Sequence, residues 1–420
     1  MLRLIRAAKR RKTAAGIELV WNSHTINHTE RPSLRMILLP VMLRIGGGNL
    51  LNRASLFSKC QTVFAFAEKQ LRRLITTHPD FFPMYTVQGK WRHDGEAWTN
   101  WCEGFLGGQL WLIYANNKDG WWREQAEHYS RLIEHRKHDR NVHDLGFLFF
   151  STWKRWYDLT GEEEINHVVV EAGRTLALRF QERGQYLRSF VAPESLFIDI
   201  MMNVGIIFYA AQQTGDEKLW RVANQHCLTT RKYLVRGDGS TAHEGIFDLN
   251  TGEFLRQSTH QGWRNDSSWA RGLAWALYGF GTAYSFTRDA RYLQTAEACA
   301  NFYIERTPAH GIPPNDWDEP NPKIPYESSA AAIAASGMWN LAKLISEANR
   351  AQLYRDYSLR ILDTLTAPEF LAIATPDWKG ILKHGIYHSR KNLGVDESVM
   401  WGDYFLLEAL SKVLHEGKKD

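Results

Sequence analysis

Four times in this chain a helix-ending residue and an acid stand together between two helical patterns, and that recurrence constrains the fold more than any other feature. The connectors read ANNKDGWW at 115–122, LTGEEEI at 159–165, QTGDEKLW at 213–220 and FTRDARYL at 286–293. Each joins a Thr, Asn or Gly, which closes a helix, to an acid placed to cap the next one. SEANRAQLYRDY from Ser346 does the same with different residues. Long amphipathic segments follow, such as WRVANQHCLTTRKYL and RYLQTAEACANFYIE, and Leu56–Leu74 brings these to six. Between them lie six other segments, poorer in charge and richer in Gly, Ala and aromatics, beginning near Trp98, His143, Asp199, Ser267, Ser328 and Glu397. Small residues let helices approach closely, and a helix that is apolar all round is buried.

Buried helices alternating with amphipathic ones make a repeat of pairs, none of which can bury its own faces. Closing six pairs gives an all-α, double-layered (α/α)6 barrel, a six-hairpin toroid. No alternating strand run stands outside the loops, which excludes a βαβ fold. The longer connections all lead from an outer helix to an inner one. SFVAPESLF, RGDGSTAHEGIFDLNTGEFLRQSTHQGW, GIPPNDWDEPNPKIPYE and PDWKGILKHGIYHSRKN would therefore gather at one mouth, where a rigid scaffold carries its function. The barrel is expected over residues 51–420 as a single catalytic domain. Residues 1–50 read as an irregular basic extension or a weak targeting segment.

Composition narrows the class. Hydrophobic residues at 44% and charged ones at 23% fit a soluble, core-forming protein. Seventeen tryptophans raise the expectation of a cleft that stacks on flat rings or sugar faces. Much of the +5 net charge sits in RLIRAAKRRK near the start, so it argues for no nucleic-acid partner. Cys60, Cys102, Cys227 and Cys299 are isolated, and we read them as core thiols rather than disulfides or zinc ligands. No segment reaches the roughly 20 apolar residues of a membrane span. MILLPVML (36–43) resembles a short signal core without a cleavage site, so a cytoplasmic location is expected, with export as the alternative. The oligomeric state is not legible.

Candidate chemistry clusters where inner helices begin: VHDLGF, FIDIMMN, NDSSWARG and VDESVMWGDY. Capping is the ordinary role of such residues, and we assign it to Ser267 and Ser328. Asp144 and Asp199 are different. Asp199 has apolar neighbours that would desolvate it, raise its pKa and suit it to general acid work. A helix N-terminus would pull the other way, and the sequence leaves both open. Paired carboxylates at a sugar ring are the common glycosidase device. His143, His243 and His260 flank the site without metal-binding spacing, so no metal or cofactor is expected. Arg271 and Trp275 are i and i+4 on one helix face, with Trp269 in the first turn leaning back toward the mouth. A cation beside indoles suits a sugar ring bearing a carboxylate; a salt bridge from Arg271 to a neighbouring inner helix is the alternative.

The ordered run HDLGF, IDIMMN, THQGW, DSSWARGLAWALYGF, SSAAAIAASG and GVDESVMWGDYFLLEAL resembles the unsaturated glucuronyl hydrolases of glycoside hydrolase family 88, over roughly Trp98 to Leu410. The resemblance implies an (α/α)6 barrel that releases 4-deoxy, C4=C5 unsaturated glucuronic acid from lyase-made oligosaccharides such as those of glycosaminoglycans, by hydrating a vinyl ether. It implies Asp199 as proton donor and water activator and Asp144 as the second essential acid. It places His143, His243, Gln261 and Trp269 on the sugar, Thr259, Arg271 and Trp275 in substrate binding, and Trp98 or Trp101 on the aromatic wall. Three places depart from the family pattern, the least of them Glu327, which precedes SSAAA where the family commonly has Asp. Gln257 replaces a glycine before the THQ threonine. In the late loop, whose sulfate-binding form is S-x-x-S-x-K, only Ser389 of SRKNLG matches, with Arg390 and Lys391 basic but out of register. The competing functions are an unsaturated rhamnogalacturonyl hydrolase, a non-catalytic saccharide-binding barrel and an α/α-barrel epimerase, the last lacking its central histidine pair.

Overall fold

The connector signals become helix ends in the computed structural model, which describes residues 53–93 and 100–416. Trp98, the MILLPVML segment and the 1–50 extension lie outside the described residues. In chain order the α-helices are α1 (Arg53–Thr77), α2 (Glu103–Asn117), α3 (Gly120–Leu132), α4 (Leu145–Ser151), α5 (Trp153–Thr160), α6 (Glu163–Ala177) and α7 (Ile200–Asn203). There follow α8 (Gly205–Thr214), α9 (Glu217–Leu234), α10 (Ala270–Thr287), α11 (Ala290–Arg306), α12 (Ser328–Leu344), α13 (Ala348–Leu365) and α14 (Met400–Glu416). The inner ring is α2, α4–α5, α7–α8, α10, α12 and α14, each packed on the next, and α14 returns to α2 to close it. The outer layer is α1, α3, α6, α9, α11 and α13. Two inner helices are broken in the middle, at Thr152 and at Val204.

The acids of the connectors cap as their spacing predicts. Asp119 accepts from the Trp121 amide, Asp216 from Lys218 and Leu219, Asp289 from Arg291, and Glu347 from Asn349 and Arg350. Glu162 is the exception and makes no side-chain cap. At the inner mouth the capping expectation fails. The N-cap of α10 is Trp269, while the Ser267 hydroxyl turns to Asp316 Oδ2 at 2.6 Å. The α12 cap is Glu327, whose carboxylate takes the Ser329 and Ala330 amides; the Ser328 hydroxyl goes to the Lys383 carbonyl. Both serines bond to incoming loop residues, which compete successfully for a short hydroxyl.

Inner-to-outer turns are short, such as residues 118–119 and 215–216. Outer-to-inner connections are long, such as 235–269 and 366–399, and hold the short antiparallel strands. In chain order these are β1 (Thr86–Val87) with β2 (Lys90–Trp91), and β3 (Phe180–Gln181) with β4 (Tyr186–Leu187). A three-stranded sheet follows, β5 (Ser195–Phe197), β6 (Glu244–Phe247) and β7 (Phe254–Ser258), and then β8 (Gly385–His388) with β9 (Leu393–Glu397). One hydrophobic core runs through both helix layers, and Cys60, Cys102, Cys227 and Cys299 are free thiols within it. No helix among the described residues is long and apolar enough to cross a membrane.

Candidate active site

Two inner helices must touch for Asp144 and Asp199 to share a pocket, and Gly146 of HDLGF permits it. A Cβ there would lie 2.5 Å from Asn203 Cα, so only glycine lets α4 come this close to α7. Asn203 fastens the contact: its Oδ1 accepts from the Phe147 amide at 2.8 Å, and its Nδ2 donates to the Asp199 carbonyl at 3.3 Å. Asp144 and Asp199 stand at the N-cap positions of α4 and α7, yet neither makes a side-chain cap. Both line one pocket, together with Trp101, His143, His260 and Gln261. The Oδ2 atom of each acid is buried with no hydrogen-bond partner among the described residues.

Behind each acid stands a histidine whose tautomer the backbone fixes. His143 Nδ1 accepts from the Phe190 amide at 3.0 Å, so its proton sits on Nε2, 3.4 Å from Asp144 Oδ1. His243 Nδ1 accepts from the His260 amide at 3.1 Å, which leaves Nε2–H 3.6 Å from Asp199 Oδ2. Burial holds both histidines well below their ordinary pKa, helped at His143 by Arg179 and at His243 by His260 and Arg271. Each is therefore a neutral donor aimed at a carboxyl group.

The same burial acts oppositely on the acids, because it penalises the charged form. It carries Asp199 up to about 6, against the pull of Arg271, a backbone amide and His260. α7 is a single turn whose start receives no side-chain cap from Asp199, and desolvation wins. Asp144 is pushed well above the carboxylate range, first by burial and then by the charge of Asp199. The two acids are therefore not equivalent: burial and the charge of Asp199 favour the protonated form of Asp144, and burial brings Asp199 to about 6.

The aromatic-basic cradle expected around Arg271 is built differently. Its guanidinium lies between Trp269 and Trp401, 4.5 and 5.1 Å from the ring centroids. Nη1 donates to the Ile386 carbonyl, and Nη2 donates to the Tyr387 carbonyl at 2.9 Å and to Gln261 Oε1 at 2.5 Å. Arg271 borders the pocket but spends these donors on β8 and on Gln261. Since arginine only donates, Gln261 must turn its oxygen to Arg271 and its Nε2 amide away from it. The alternative of a salt bridge to a neighbouring inner helix is not met either, because the partners are backbone carbonyls of a loop strand.

Trp275 is set back from the wall. It shares Arg271's helix face but lies one turn deeper, packed on Phe147 and Phe405, and is absent from the pocket wall. Trp269, His243 and Thr259 stand behind the wall rather than on it. Trp269 packs on His243 at 4.7 Å, and Thr259 Oγ1 lies 3.1 Å from His243 Nδ1 and accepts from the Gly262 amide. Ser389 is exposed and off the wall, at the start of a short 3-10 turn, whereas Lys391 two residues on reaches the pocket. The turn thus brings a lysine to the site although its register in sequence looks wrong. Gln257, at the departing glycine position, accepts from Arg236 and donates to the Tyr233 carbonyl, away from the pocket. Residues of the wall that the sequence reading passed over are Phe190, Phe197, Tyr387 and His388. Their only signal was membership of the loops SFVAPESLF and HGIYHSRKN.

Comparison with known proteins follows the same direction. No protein-family model matches the chain. It is 33% identical over 324 residues to the unsaturated glucuronyl hydrolase of Formosa agariphila, covering 74% of this chain and 80% of that one. A 31% identity over 323 residues relates it to the unsaturated chondroitin disaccharide hydrolase of Streptococcus agalactiae, across 74% of this chain and 81% of that one. The crystal structure of unsaturated glucuronyl hydrolase from Bacillus sp. GL1, described as responsible for glycosaminoglycan degradation, matches with a TM-score of 0.79. That match is 29% identical and covers 84% of this chain and 96% of the other.

Proposed function

The chain belongs to the unsaturated glucuronyl hydrolases, consistent with glycoside hydrolase family 88, and from that membership we propose how its own residues carry out the reaction. It is a hydrolase that releases 4-deoxy, C4=C5 unsaturated glucuronic acid from the non-reducing end of oligosaccharides. The observation that carries the residue assignment is the pair of buried acids in one pocket, each with an unpartnered oxygen and each backed by a neutral histidine donor.

Protonated Asp199 gives its proton to C4, and the positive charge that develops is shared by C5 and the ring oxygen. The Asp199 carboxylate then takes a proton from water as that water bonds to C5, which restores the acid. The resulting hemiketal breaks its C5–ring oxygen bond to leave a ketone at C5. The former ring oxygen becomes the hydroxyl of a hemiacetal at C1, whose collapse to the aldehyde expels the remaining saccharide as an alcohol. One water is consumed in total. Asp144, kept protonated, donates a hydrogen bond that orients the sugar or the water. His243 turns its Nε2–H to Asp199 and steadies the carboxylate formed after proton transfer. Trp101 forms part of the wall on which the ring lies. Lys391 and Arg390, the latter bonded to the half-exposed Trp263 at its carbonyl, give a basic rim for the next sugar.

The test is turnover of unsaturated disaccharides from glycosaminoglycans and from pectin, followed by loss of the C4=C5 ultraviolet absorbance. Folded protein that leaves every one of them unchanged sinks the reading. Faster turnover of the pectin-derived unit would move it to the rhamnogalacturonyl class.

A further inference from the structure

An unsaturated uronate brings a carboxylate into a pocket where the expected cation, Arg271, already has its terminal nitrogens on Gln261, Ile386 and Tyr387. The remaining histidines of the site are poor candidates. His143 and His243 are buried neutral donors aimed at the two acids, and His388 is lowered to about 4 by burial, then by Arg271 and Lys391. His260 is the exposed one of the four. Its side chain is 46% exposed on the pocket wall, and its Nε2 stands 3.3 Å from Glu244 Oε2.

Glu244 has no part in the mechanism above, yet it is a buried carboxylate in the middle strand β6, only 2% exposed. A carboxylate in that position needs hydrogen bonds and a countercharge. The Ser195 hydroxyl on β5 donates to Oε1 at 2.5 Å and itself accepts from the Ser189 hydroxyl at 2.8 Å. The donor within reach is His260, two residues past the end of β7. Burial raises the Glu244 carboxyl, but His260 and Ser195 together overrule it and hold it below its ordinary value. The charged or titratable groups coupled to His260 are Glu244, Asp199, His243 and His388. With Nε2 committed to Glu244, Nδ1 is the ring nitrogen left to meet a ligand in the pocket that His260 lines.

We propose that Glu244 is a positioning residue, holding His260 as the hydrogen-bond donor that meets the carboxylate of the unsaturated uronate. Glu244 itself touches no substrate; it acts through the imidazole. The inference rests on the hydrolase reading, since only an acid sugar gives His260 this task.

The experiment compares the unsaturated glycosaminoglycan disaccharide with its carboxyl methyl ester, which keeps the vinyl ether and removes the charge. Wild-type enzyme is expected to prefer the acid by about 10- to 100-fold in kcat/KM, the size of one charge-assisted hydrogen bond. His260→Ala and Glu244→Gln should each reduce that preference to within about threefold, mainly through KM for the acid. The double variant should be no worse than His260→Ala, and Glu244→Asp should recover part of the preference. Retention of the wild-type preference by either single variant overturns the proposal, as does a wild type that makes no distinction. Should Glu244→Gln not fold, His260→Ala and Ser195→Ala decide the matter alone. A wild type that cleaves neither compound refutes the hydrolase reading instead, so the two failures are separable.

Discussion

Toward the two ends of one inner ring, buried carboxylates are treated in opposite ways. At the loop-lined mouth, Asp144 and Asp199 each keep an oxygen without a hydrogen-bond partner among the described residues, and burial raises both. Further down, Glu408 of α14 is satisfied on every side. Arg155 reaches it at 2.6 Å, Lys412 at 3.1 Å and Tyr278 at 3.0 Å, and the Ser336 hydroxyl also donates to it. Burial raises Glu408 too, but Lys412 and Arg155 overrule it and bring the group down to about 2. The cluster at Glu408 ties α5, α10, α12 and α14 together. A site that must move a proton leaves its acids incompletely answered, whereas a site that must hold helices completes every bond.

Four experiments would break or sharpen that contrast. The largest effect is expected from Asp199→Asn, which should lower kcat by about 10³-fold or more, as loss of a general acid does. The folded pKa of Asp199 lies above its unfolded value. Its contribution to stability is therefore present at acid pH and lost as pH rises through about 6. The asparagine variant should accordingly be no less stable than wild type at neutral pH, as read by thermal melting. Glu408→Gln should do the reverse. Leaving Arg155 and Lys412 without their anion should cost about 3–5 kcal/mol in denaturant unfolding while the folded fraction keeps its turnover. Because the folded pKa of Glu408 is depressed, its stabilisation in the wild type should fade only as pH falls from the ordinary carboxylate range through about 2.

Gly146→Ala comes next, since its methyl group collides with the Asn203 backbone and forces α4 away from α7. We expect a loss of about 1–3 kcal/mol, with a kcat decrease that outweighs any change in KM. The gentlest test is the pH dependence of kcat/KM. It should be level below about pH 6 and fall roughly tenfold per pH unit above, as Asp199 loses the proton it must donate. A profile that rises through this range would reverse the assignment of Asp199 as the acid.

The capping acids show how much could be read in advance and where reading stopped. Asp119, Asp216 and Asp289 were legible because a cap depends on residues only two or three positions away, and the local signal suffices. Asp144 and Asp199 carry the same local signal, an acid directly before a helix, and make no cap. What separates the two sets is the partner brought from elsewhere in the chain: His143 oriented by the Phe190 amide, and His243, just before the strand that pairs with β5, aimed at Asp199. The surroundings of Arg271 show the same limit. Helical spacing placed it beside indoles but could not reveal that β8 would arrive to take its donors, nor that Trp401 rather than Trp275 would cover its second face.

The amino-acid sequence alone determined the alternation of helices, the side on which the long loops gather, and the two acids to which we assign the chemistry. Each of these follows from short-range periodicity, local capping or ordered motifs. The tertiary structure decided which acids stay unpaired, which histidines face them, which nitrogen of each histidine holds the proton, and where the arginine's hydrogen bonds go. These depend on contacts between residues far apart in the chain, and burial and charge compensation are properties of the packed site rather than of any segment within it.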